Sequence, residues 1–277
     1  MFRKARTSRA APAAPDWRSF DRVADIYDRI RAPLHEPAAR DLVAAIGDPA
    51  EGGFLDVGSG TGVVAAAAQA AGWRPTVSVD RSLPMLARAR ARGLDRLVGA
   101  DAVDLPFRDA RFGAVGAGFV LHVLPRYDTT LFDMSRVLRP GGTLGTATWD
   151  WRRDEFTETW RVVAESFTTK ELLDDAMRRA APWAERFSQP EQLEEALREA
   201  GMRSVRVERR QYRATVTIDD YLTGREISAP GRFLREILGQ ALWERFRERV
   251  DATFRERFED PIGDTNDVLL ATGTKPA

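Results

Sequence analysis

A glycine-rich stretch that begins with an acid is the part of the sequence whose residue types best fit a chemical role. Residues 56–62 read Asp-Val-Gly-Ser-Gly-Thr-Gly, directly after an apolar run and directly before an alanine-rich helical pattern. Glycines allow a chain to turn tightly and let its backbone approach a ligand without interference from a Cβ atom. The glycine triplet is by itself weak support for a ligand site, because any tight turn from a strand into a helix can use it.

Two further acids follow at the corresponding places of the next two apolar runs. Asp80 comes 24 residues after Asp56, where a carboxylate can accept hydrogen bonds from both hydroxyls of a ribose. Asp101 follows the third run, where it could accept a hydrogen bond from an adenine amino group while the Ala102 amide donates to the ring. Since the carboxyl ends of parallel strands meet at one edge of a sheet, the three acids predict a nucleoside site.

The loop fits a dinucleotide less well than another nucleoside cofactor. The dinucleotide pattern would place Gly or Ala at position 63, where this chain has Val63, and Asp56 would repel a pyrophosphate but suits a ligand with an amino group. Three functions stay open on these residues: an enzyme with an amino-bearing nucleoside cofactor, a nicotinamide-dependent dehydrogenase, and a non-catalytic protein that binds the cofactor as a sensor or scaffold.

The elements that position these residues alternate between strands and helices. Strands are predicted at FLDV, TVSVD, RLVGA, FGAVGAGF and TLGTATW, with a helix over residues 128–138 that Pro140-Gly141-Gly142 stops. An earlier amphipathic helix is predicted to end at Pro33, and a second helix to start near Pro37. Two late strands, over residues 204–217 and 268–274, are expected to add an antiparallel pair. The pattern predicts a doubly wound, mostly parallel, Rossmann-like α/β sheet of seven strands.

One domain is expected to contain all of these elements. Residues 1–15 indicate a disordered tail and residues 16–277 a single domain, with a helical cap over 16–47 and helical lid inserts over 151–187 and 219–260. Aromatic residues cluster in and around the first insert, where they either line the mouth of a pocket for an apolar, planar substrate or only pack a lid on the sheet. These residues are Trp149, Trp151, Trp160, Trp183, Phe156, Phe167 and Phe187.

The composition excludes several classes of function. Lys and Arg number 42 and Asp and Glu also number 42, so no global charge favours nucleic acid or an anionic membrane. The chain has no cysteine and only 2 histidines, which excludes thiolate metal sites, thiol nucleophiles and a poly-histidine metal centre. No apolar run resembles a signal peptide or a membrane helix. We expect a cytoplasmic protein without metal, nucleic-acid or membrane partners, and a homodimer stays open.

Taken together, the motifs resemble the class I S-adenosylmethionine-dependent methyltransferases, in the small-molecule branch that includes quinone and polyketide methyltransferases. DVGSGTG is similar to the first motif of that family, VSVDRS to the second, GADAVDLPF to the third, and FVLHVLP with RVLRPGGTL to the fourth and the turn after it. The resemblance covers about residues 17–150. One departure is Gly113, where the family commonly has Asp, and we expect it to affect packing more than cofactor binding.

The resemblance implies S-adenosylmethionine as cofactor and methyl transfer to O, N or C of a small-molecule acceptor. It implies that Asp56 and residues 58–60 hold the amino-acid part of the cofactor, that Asp80 holds the ribose, and that Tyr27 closes over the methionine moiety. Asp101 with Ala102 would hold the adenine. The full predicted set of cofactor-binding residues is Tyr27, Asp56, Gly58, Ser59, Gly60, Asp80, Arg81, Asp101, Ala102 and Phe119.

His122, just beyond the predicted fourth strand, is the candidate catalytic residue. A neutral imidazole there could take a proton from an acceptor hydroxyl, and its ordinary pKa of about 6.5 would give the reaction a pH dependence. The alternative is that His122 belongs to the scaffold, because transfer from a sulfonium needs proximity and alignment more than a base. His35, between two prolines, is predicted at the surface or in a lid, without a role.

Overall fold

A seven-stranded sheet forms the centre of the computed structural model, which describes residues 19–150 and 154–277. The strands lie in the order β3-β2-β1-β4-β5-β7-β6, with β1 to β5 parallel and β7 antiparallel to both of its neighbours. The predicted doubly wound sheet is therefore confirmed. The tail over residues 1–15 and Trp151 lie outside the described residues. The strands are β1 (Phe54–Val57), β2 (Thr76–Asp80), β3 (Leu97–Gly99), β4 (Phe112–Gly118), β5 (Leu138–Trp149), β6 (Arg203–Val216) and β7 (Ile262–Thr274).

Helices cover both faces of this sheet and one end of it. Short 3-10 turns occur at Asp21–Val23 and Leu121–Val123. None of the helices in the described ranges combines the length and the apolar character that a membrane span needs. The helices are α1 (Ala24–Ile30), α2 (Ala32–Ile46), α3 (Val63–Ala70), α4 (Leu83–Ala91), α5 (Tyr127–Val137), α6 (Glu155–Glu165), α7 (Lys170–Ala180), α8 (Ala184–Phe187), α9 (Pro190–Glu199), α10 (Ile218–Glu226) and α11 (Ala229–Arg257).

A separate apolar core lies on each face of the sheet because side chains alternate along a strand. Leu55 and Val57 of β1 face a layer that contains Leu131 and Met134 of α5 together with α9. Phe54, from the same strand, faces the other layer, which α2 and α3 complete. The glycine loop leaves β1 between these two layers, so packing on both faces of the sheet fixes where the loop begins.

Helices α6, α7, α10 and α11 pack on one another and form a third apolar core beside the sheet. We call these four helices the cover. Phe246, Val250 and Phe254 follow one another at intervals of four residues and are buried in it. The apolar face of α11 therefore packs into the cover. Gly239, with φ +67, interrupts α11 at a kink.

The prolines of the first helices do not act as the sequence predicts. Pro33 does not end a helix, because α1 already ends at Ile30 and α2 begins at Ala32. Pro33 instead lies in the first turn of α2, where its missing N–H has no helical partner to lose. Pro37 does not start a helix either, since it lies inside α2, which continues to bury its apolar face around Leu42.

Gly113, where the resembling family commonly has Asp, lies at an irregular point of the sheet. The register between β4 and β5 shifts just after Phe112, and residues 140–142 lie within β5. The sequence predicts that these residues stop α5, but that helix already ends at Val137. A Cβ atom on Gly113 would lie 2.5 Å from the carbonyl oxygen of Glu51. This position is thus tightly packed, at the amino end of β4.

Ion pairs hold the first two helices against α4 and the glycine loop. Asp28 pairs with Arg88 at 3.2 Å and with Arg92 at 2.6 Å, and Arg92 also pairs with Glu36 at 3.0 Å. The Nε of Arg92 donates to the carbonyl oxygen of Thr61 at 3.0 Å. The side chains of Asp28 and Arg92 are only 16% and 22% exposed, so solvent screens their attraction less than that of a surface pair. The helical cap is therefore fixed at the carboxyl ends of the strands.

We predict that Phe254→Ala lowers the free energy of unfolding by about 3 to 5 kcal/mol, because it leaves a cavity in the core of the cover. Phe254 is completely buried, and its ring packs against Tyr221 and Phe258. Ile237→Ala, at a residue of α11 that is 44% exposed, is the control and should cost less than about 1 kcal/mol. Denaturant titrations check both values, and equal losses in the two variants would contradict the described packing of the cover.

Candidate functional site

The glycine loop between β1 and α3 presents its backbone to a large cavity. Gly58 and Gly60 have φ values of +65 and +53, which favour glycine. A Cβ atom on Gly58 would lie 2.4 Å from Cγ2 of Val120, whereas nothing lies within 4 Å of the place that a Cβ atom would take on Gly60. Between them, the hydroxyl of Ser59 is buried and has no hydrogen-bond partner among the described residues. The loop therefore offers close backbone approach and an unsatisfied hydroxyl to a ligand.

Asp80, at the end of β2, holds the glycine loop in place. One carboxylate oxygen accepts a hydrogen bond from the Gly60 N–H at 2.8 Å, and the other accepts one from the Ser82 N–H at 2.8 Å. Burial raises the pKa of Asp80, although these two hydrogen bonds oppose the shift. A carboxylate has about four acceptor positions. Asp80 therefore keeps capacity for two further donors, as the two hydroxyls of a ribose would require.

Asp56 is the predicted site residue that the structure turns away from the cavity. Its Oδ2 accepts a hydrogen bond from the Ala65 N–H at 2.9 Å, in the first turn of α3. Its Oδ1 is buried without a partner among the described residues, and Asp56 does not line the cavity. Burial raises the pKa of Asp56 to about 7. The carboxyl group ties α3 to β1, and this geometry gives no support to its predicted contact with the amino-acid part of a cofactor.

The acids that follow β2 and β3 come side by side because these strands pair in parallel. Asp80 lies opposite Gly99 in the register, and Asp101 follows two residues after Gly99. Ala102 is buried, whereas Asp101 and Arg81 are exposed to solvent at the rim. The four predicted site residues line the same cavity; they are Asp80, Arg81, Asp101 and Ala102. The strand pairing thus places a half-buried acid, an exposed acid and a buried alanine along one edge.

Tyr27 and His35 form a buried pair where the helical cap meets this edge. The Tyr27 hydroxyl and Nδ1 of His35 lie 3.2 Å apart and share a hydrogen bond. Burial raises the pKa of Tyr27 to about 12 and lowers the pKa of His35 to about 3, so both side chains are neutral at pH 7. The predicted surface position of His35 is wrong, because its helix packs on the sheet and leaves only 4% of the residue exposed.

Phe119 stacks on His35, packs against Trp149 and forms part of the cavity wall. Its ring centroid lies 4.6 Å from that of His35 and 4.3 Å from that of Trp149. The backbone of Phe119 has φ +58, an unusual conformation for an aromatic residue that costs about 1 to 3 kcal/mol. Its amide donates to the carbonyl oxygen of Ala147 at 2.8 Å. Pairing with β5 therefore helps to hold the strained conformation that turns this ring onto the wall.

His122 lies in the 3-10 turn after β4 and lines the cavity. It is 6% exposed, and burial lowers its pKa to about 4. The imidazole is therefore neutral at pH 7, but it is a much weaker base than a histidine in water. Within residues 19–150 and 154–277, no three His, Asp or Glu side chains come close enough together to hold a metal ion.

One continuous cavity of about 940 Å³ joins the glycine loop to the cover. This volume is at the upper end of the range for ligand pockets, which is roughly 300 to 1,000 Å³. Its wall on the side of the cover includes Trp160, Leu173 and Met177. The cavity thus reaches from polar groups at the strand ends to an apolar wall formed by helices after residue 150.

Two of the aromatic residues singled out from the sequence line the cavity, and the others have packing roles. Trp149 and Trp160 lie in its wall. Some members of the cluster thus line the cavity and others only pack within the protein. Trp151 lies outside the described residues. Rings that pack against other protein rings are Trp183, Phe187, Phe156 and Phe167.

Apart from Asp56, the structure brings the predicted site residues together around this one cavity. The cavity residues that the sequence did not reveal include His35, Arg31 and Arg225. His35 comes eight residues after Tyr27, a spacing that could have suggested a shared helical face. No pattern distinguishes Arg225 from the many other arginines of the chain. The predicted residues on the cavity are Tyr27, Gly58, Ser59, Gly60, Asp80, Arg81, Asp101, Ala102, Phe119 and His122.

Part of this chain is similar in sequence to known proteins. Residues 55–145 match a family model described as a methyltransferase domain. The chain is 36% identical over 132 residues to the ubiquinone/menaquinone biosynthesis C-methyltransferase UbiE of Desulfotalea psychrophila, a match that covers 44% of this chain and 53% of that protein. It is 30% identical over 166 residues to a malonyl-acyl-carrier-protein O-methyltransferase of Pseudescherichia vulneris, with coverages of 57% and 65%. The chain thus spans less than two thirds of these relatives.

Solved structures share the fold at lower sequence identity. A phosphoethanolamine N-methyltransferase 2 of Haemonchus contortus, in complex with S-adenosyl-L-methionine, is 18% identical with a TM-score of 0.56, and the match covers 96% of this chain and 61% of that one. A (4+2)-cyclase, SpnF, is 21% identical with a TM-score of 0.54, and the coverages are 96% and 98%. At these identities the likeness concerns the fold alone.

We predict that Asp56→Asn makes the free energy of unfolding less dependent on pH. The pKa of Asp56 rises from 3.8 to about 7 on folding, so between these values the folded protein keeps a proton that the unfolded chain has released. The wild type therefore loses stability as the pH rises through this interval, by up to about 1.4 kcal/mol per pH unit. Denaturant titrations should show the variant gaining roughly 2 to 3 kcal/mol relative to the wild type from pH 5 to pH 8.

The control for this prediction is Asp95→Asn, at an exposed acid before β3. It should leave the pH dependence as in the wild type. A difference between Asp56→Asn and the wild type that stays constant from pH 5 to pH 8 would contradict the described burial of Asp56.

Proposed function

We propose that the chain, whose residues 55–145 match a methyltransferase domain, transfers a methyl group from S-adenosylmethionine to O, N or C of a small, apolar or aromatic metabolite. The observation that carries this proposal is the single cavity that joins the strand ends to the cover. A protein that only bound the cofactor would need the first part of the cavity and not the second. We also propose that it acts in the cytoplasm on a free small molecule, which its balanced charge supports.

The groups at the strand ends suit the parts of this cofactor. In the proposal, Asp80 accepts hydrogen bonds from the ribose hydroxyls with its remaining acceptor capacity, and Asp101 with the Ala102 amide holds the adenine. The open backbone at Gly60 and the unsatisfied hydroxyl of Ser59 would hold the amino-acid part. Tyr27 lies near enough to Asp80 for the carboxylate charge to raise its pKa, which supports its assignment to the same ligand.

The chain's contribution to catalysis is mainly to hold two molecules in line. When bound, S-adenosylmethionine supplies an electrophilic methyl group that needs no further activation. The loop and Asp80 fix one partner, and the cover fixes the other, which is the kind of orientation worth up to roughly 7 to 11 kcal/mol in model reactions. Phe119, Trp149 and the neutral His35 form an aromatic wall beside them. This wall limits access of water to the site.

His122 has a modest role in this proposal. An imidazole whose pKa is about 4 stays neutral over the physiological range and is a poor general base at pH 7. It can still accept a hydrogen bond from an acceptor hydroxyl and so orient the attacking atom. The pH dependence near 6.5 that an ordinary histidine would give is therefore not expected, and deprotonation is left to acceptors that ionise readily.

Two alternatives remain to be tested against methyl transfer. A non-catalytic scaffold or sensor would bind the cofactor without turnover, and a nicotinamide-dependent dehydrogenase would bind NAD at the same edge. Val63 and the lack of a recognisable hydride-relay set argue against the dehydrogenase. The likeness to a protein named as a cyclase means that the fold does not decide the reaction by itself. Cofactor binding and turnover therefore need separate measurements.

We predict that S-adenosylhomocysteine binds and NAD does not, as measured by isothermal titration calorimetry. Asp80→Asn should weaken binding of S-adenosylhomocysteine more than tenfold, because each charge-assisted hydrogen bond to the ribose is worth about 1.5 to 3 kcal/mol. Asp95→Asn, at the opposite end of the sheet, should bind like the wild type. Micromolar binding of NAD together with no heat from S-adenosylhomocysteine would refute the proposed function.

We predict that neither histidine titrates between pH 5.5 and pH 8 in the folded protein. Burial lowers the pKa of His35 to about 3 and that of His122 to about 4, so both rings stay neutral over this range. Because the chain has only 2 histidines, ¹³C-labelled imidazole resonances of untagged protein can be assigned with His35→Gln and His122→Gln. A midpoint near 6.5 for His122 would contradict its described burial and restore it as a candidate general base.

A further inference from the structure

Two arginines line the cavity without an acidic partner. Arg31, between α1 and α2, and Arg225, in α10, make no ion pair and no side-chain hydrogen bond with any residue in the described ranges. Other partly buried arginines behave differently, since Arg92 pairs with two acids and Arg161 pairs with two others. Arg31 and Arg225 therefore bring positive charge to the cavity that no ion pair with a described residue neutralises.

The guanidinium of Arg225 lies against the ring of Trp160, and one of its N–H donors has no partner among the described residues. Its Cζ is 4.7 Å from the ring centroid of Trp160, a cation–π arrangement. Its Nε is buried and has no hydrogen-bond partner among the described residues. Burial lowers the pKa of Arg225, and the nearby charge of Arg31 lowers it further. The guanidinium thus stays in an unfavourable environment that an acceptor of its hydrogen bonds would relieve.

Arg31 lies next to the helix that carries Arg225. A Cβ atom on Gly224, the residue before Arg225, would lie 3.7 Å from Nη1 of Arg31. The helical cap and the cover therefore each contribute one arginine here, Arg31 and Arg225, and both are positively charged. Two adjacent like charges repel one another, and an anion between or beside them would convert this repulsion into attraction.

The two acids whose charges act on Arg225 are already used elsewhere. Asp154 uses its Oδ1 to cap α6 through the Thr157 N–H at 2.6 Å, and Asp264 accepts a hydrogen bond from the Asn266 side chain at 2.9 Å. Both raise the pKa of Arg225 only as minor contributions, after burial. Neither forms an ion pair with Arg225.

We infer that the acceptor carries an anionic oxygen group, a carboxylate or a phosphate, which Arg225 binds together with Arg31 while an apolar, planar body lies along the wall that contains Trp160. This inference rests on the proposed function, because it names the class of molecule that occupies the part of the cavity under the cover. Arginine is suited to this task, since its planar fork of N–H donors matches the two oxygens of a carboxylate or phosphate.

The position of Arg225 and Trp160 assigns them to the acceptor. The groups proposed for the cofactor end at the carboxyl edge of β1 to β4, within or before residues 55–145. Arg225 and Trp160 lie in α10 and α6 of the cover, outside that range. The cofactor has a carboxylate of its own, but the amino-acid part that carries it is assigned to residues 58–60, so the cation under the cover remains for the acceptor.

Paired naphthalene probes of known charge test the inference without knowledge of the natural acceptor. We would measure binding of 2-naphthoate, 2-naphthyl phosphate and the neutral 2-naphthamide by calorimetry, with and without saturating S-adenosylhomocysteine. At least one of the two anions should bind ten times or more tighter than the amide. The comparison of the carboxylate with the phosphate identifies which anion the site prefers.

Substitutions locate the effect on the arginines. Arg225→Gln should reduce the preference for the anion over the amide to less than threefold, Arg225→Lys should keep part of it, and Arg31→Gln should weaken it. Arg235→Gln is the matched control, because Arg235 also lies over a tryptophan, Trp243, but on the exposed side of the cover. It should bind the anion like the wild type. Thermal melting of each variant verifies that it is folded.

The two proposals can fail separately in this experiment. An anion that binds no tighter than the amide, or equally to folded wild type and Arg225→Gln, would overturn the anionic acceptor. A loss of S-adenosylhomocysteine binding in Arg225→Gln, with no loss of anion preference, would also overturn it, because Arg225 would then serve the cofactor. If S-adenosylhomocysteine does not bind the wild type, the proposed function fails, while the difference between anion and amide still reports on Arg225.

Discussion

The carboxylate of Asp80 is the interaction on which the candidate site depends. By accepting hydrogen bonds from Gly60 and Ser82, it joins the end of β2 to the glycine loop after β1 and to the start of α4. These groups belong to neighbouring parallel strands, so one side chain fixes the spacing of the whole polar edge. Because the carboxylate is only partly exposed, solvent competes little for these hydrogen bonds, and their loss would be costly. The protein therefore holds the loop in a defined position with a group that also faces the ligand.

Burial also determines the chemical character of the other side chains on the cavity. His35 and His122 are neutral because desolvation disfavours their charged forms, and Tyr27 keeps its proton for the same reason. Arginine cannot release its proton in this way, so Arg225 stays charged although its pKa is lowered. The edge at the glycine loop thus carries the acids Asp80 and Asp101 beside neutral aromatic groups. The part under the cover carries positive charge without an ion-pair partner among the described residues. This division suits a cofactor and an acceptor of different polarity.

Sequence patterns were most reliable where local periodicity and long-range packing agree. The five short apolar runs form β1 to β5, and the acid at the end of the second lies at the predicted edge. They were least reliable at prolines and glycines, whose local tendency can be accommodated in more than one way. Pro33 lies in the first turn of a helix, where the end of a helix was predicted. Residues 140–142 lie within β5, where they were expected only to stop α5. In both cases packing against the sheet decided between local conformations that differ little in free energy.

The sequence by itself determined the sheet, the glycine loop and the acids at its edge, because strand periodicity and the shared carboxyl edge of parallel strands require no knowledge of distant contacts. It did not determine that Asp56 turns towards Ala65 and away from the cavity, since both orientations satisfy the same motif. It also did not reveal His35 or Arg225. Their roles arise from the packing of the helical cap and the cover over the sheet, which brings together residues nearly two hundred positions apart, such as Arg29 and Asp220. Only the tertiary structure fixes which side chains are buried, and burial sets their charge and their use.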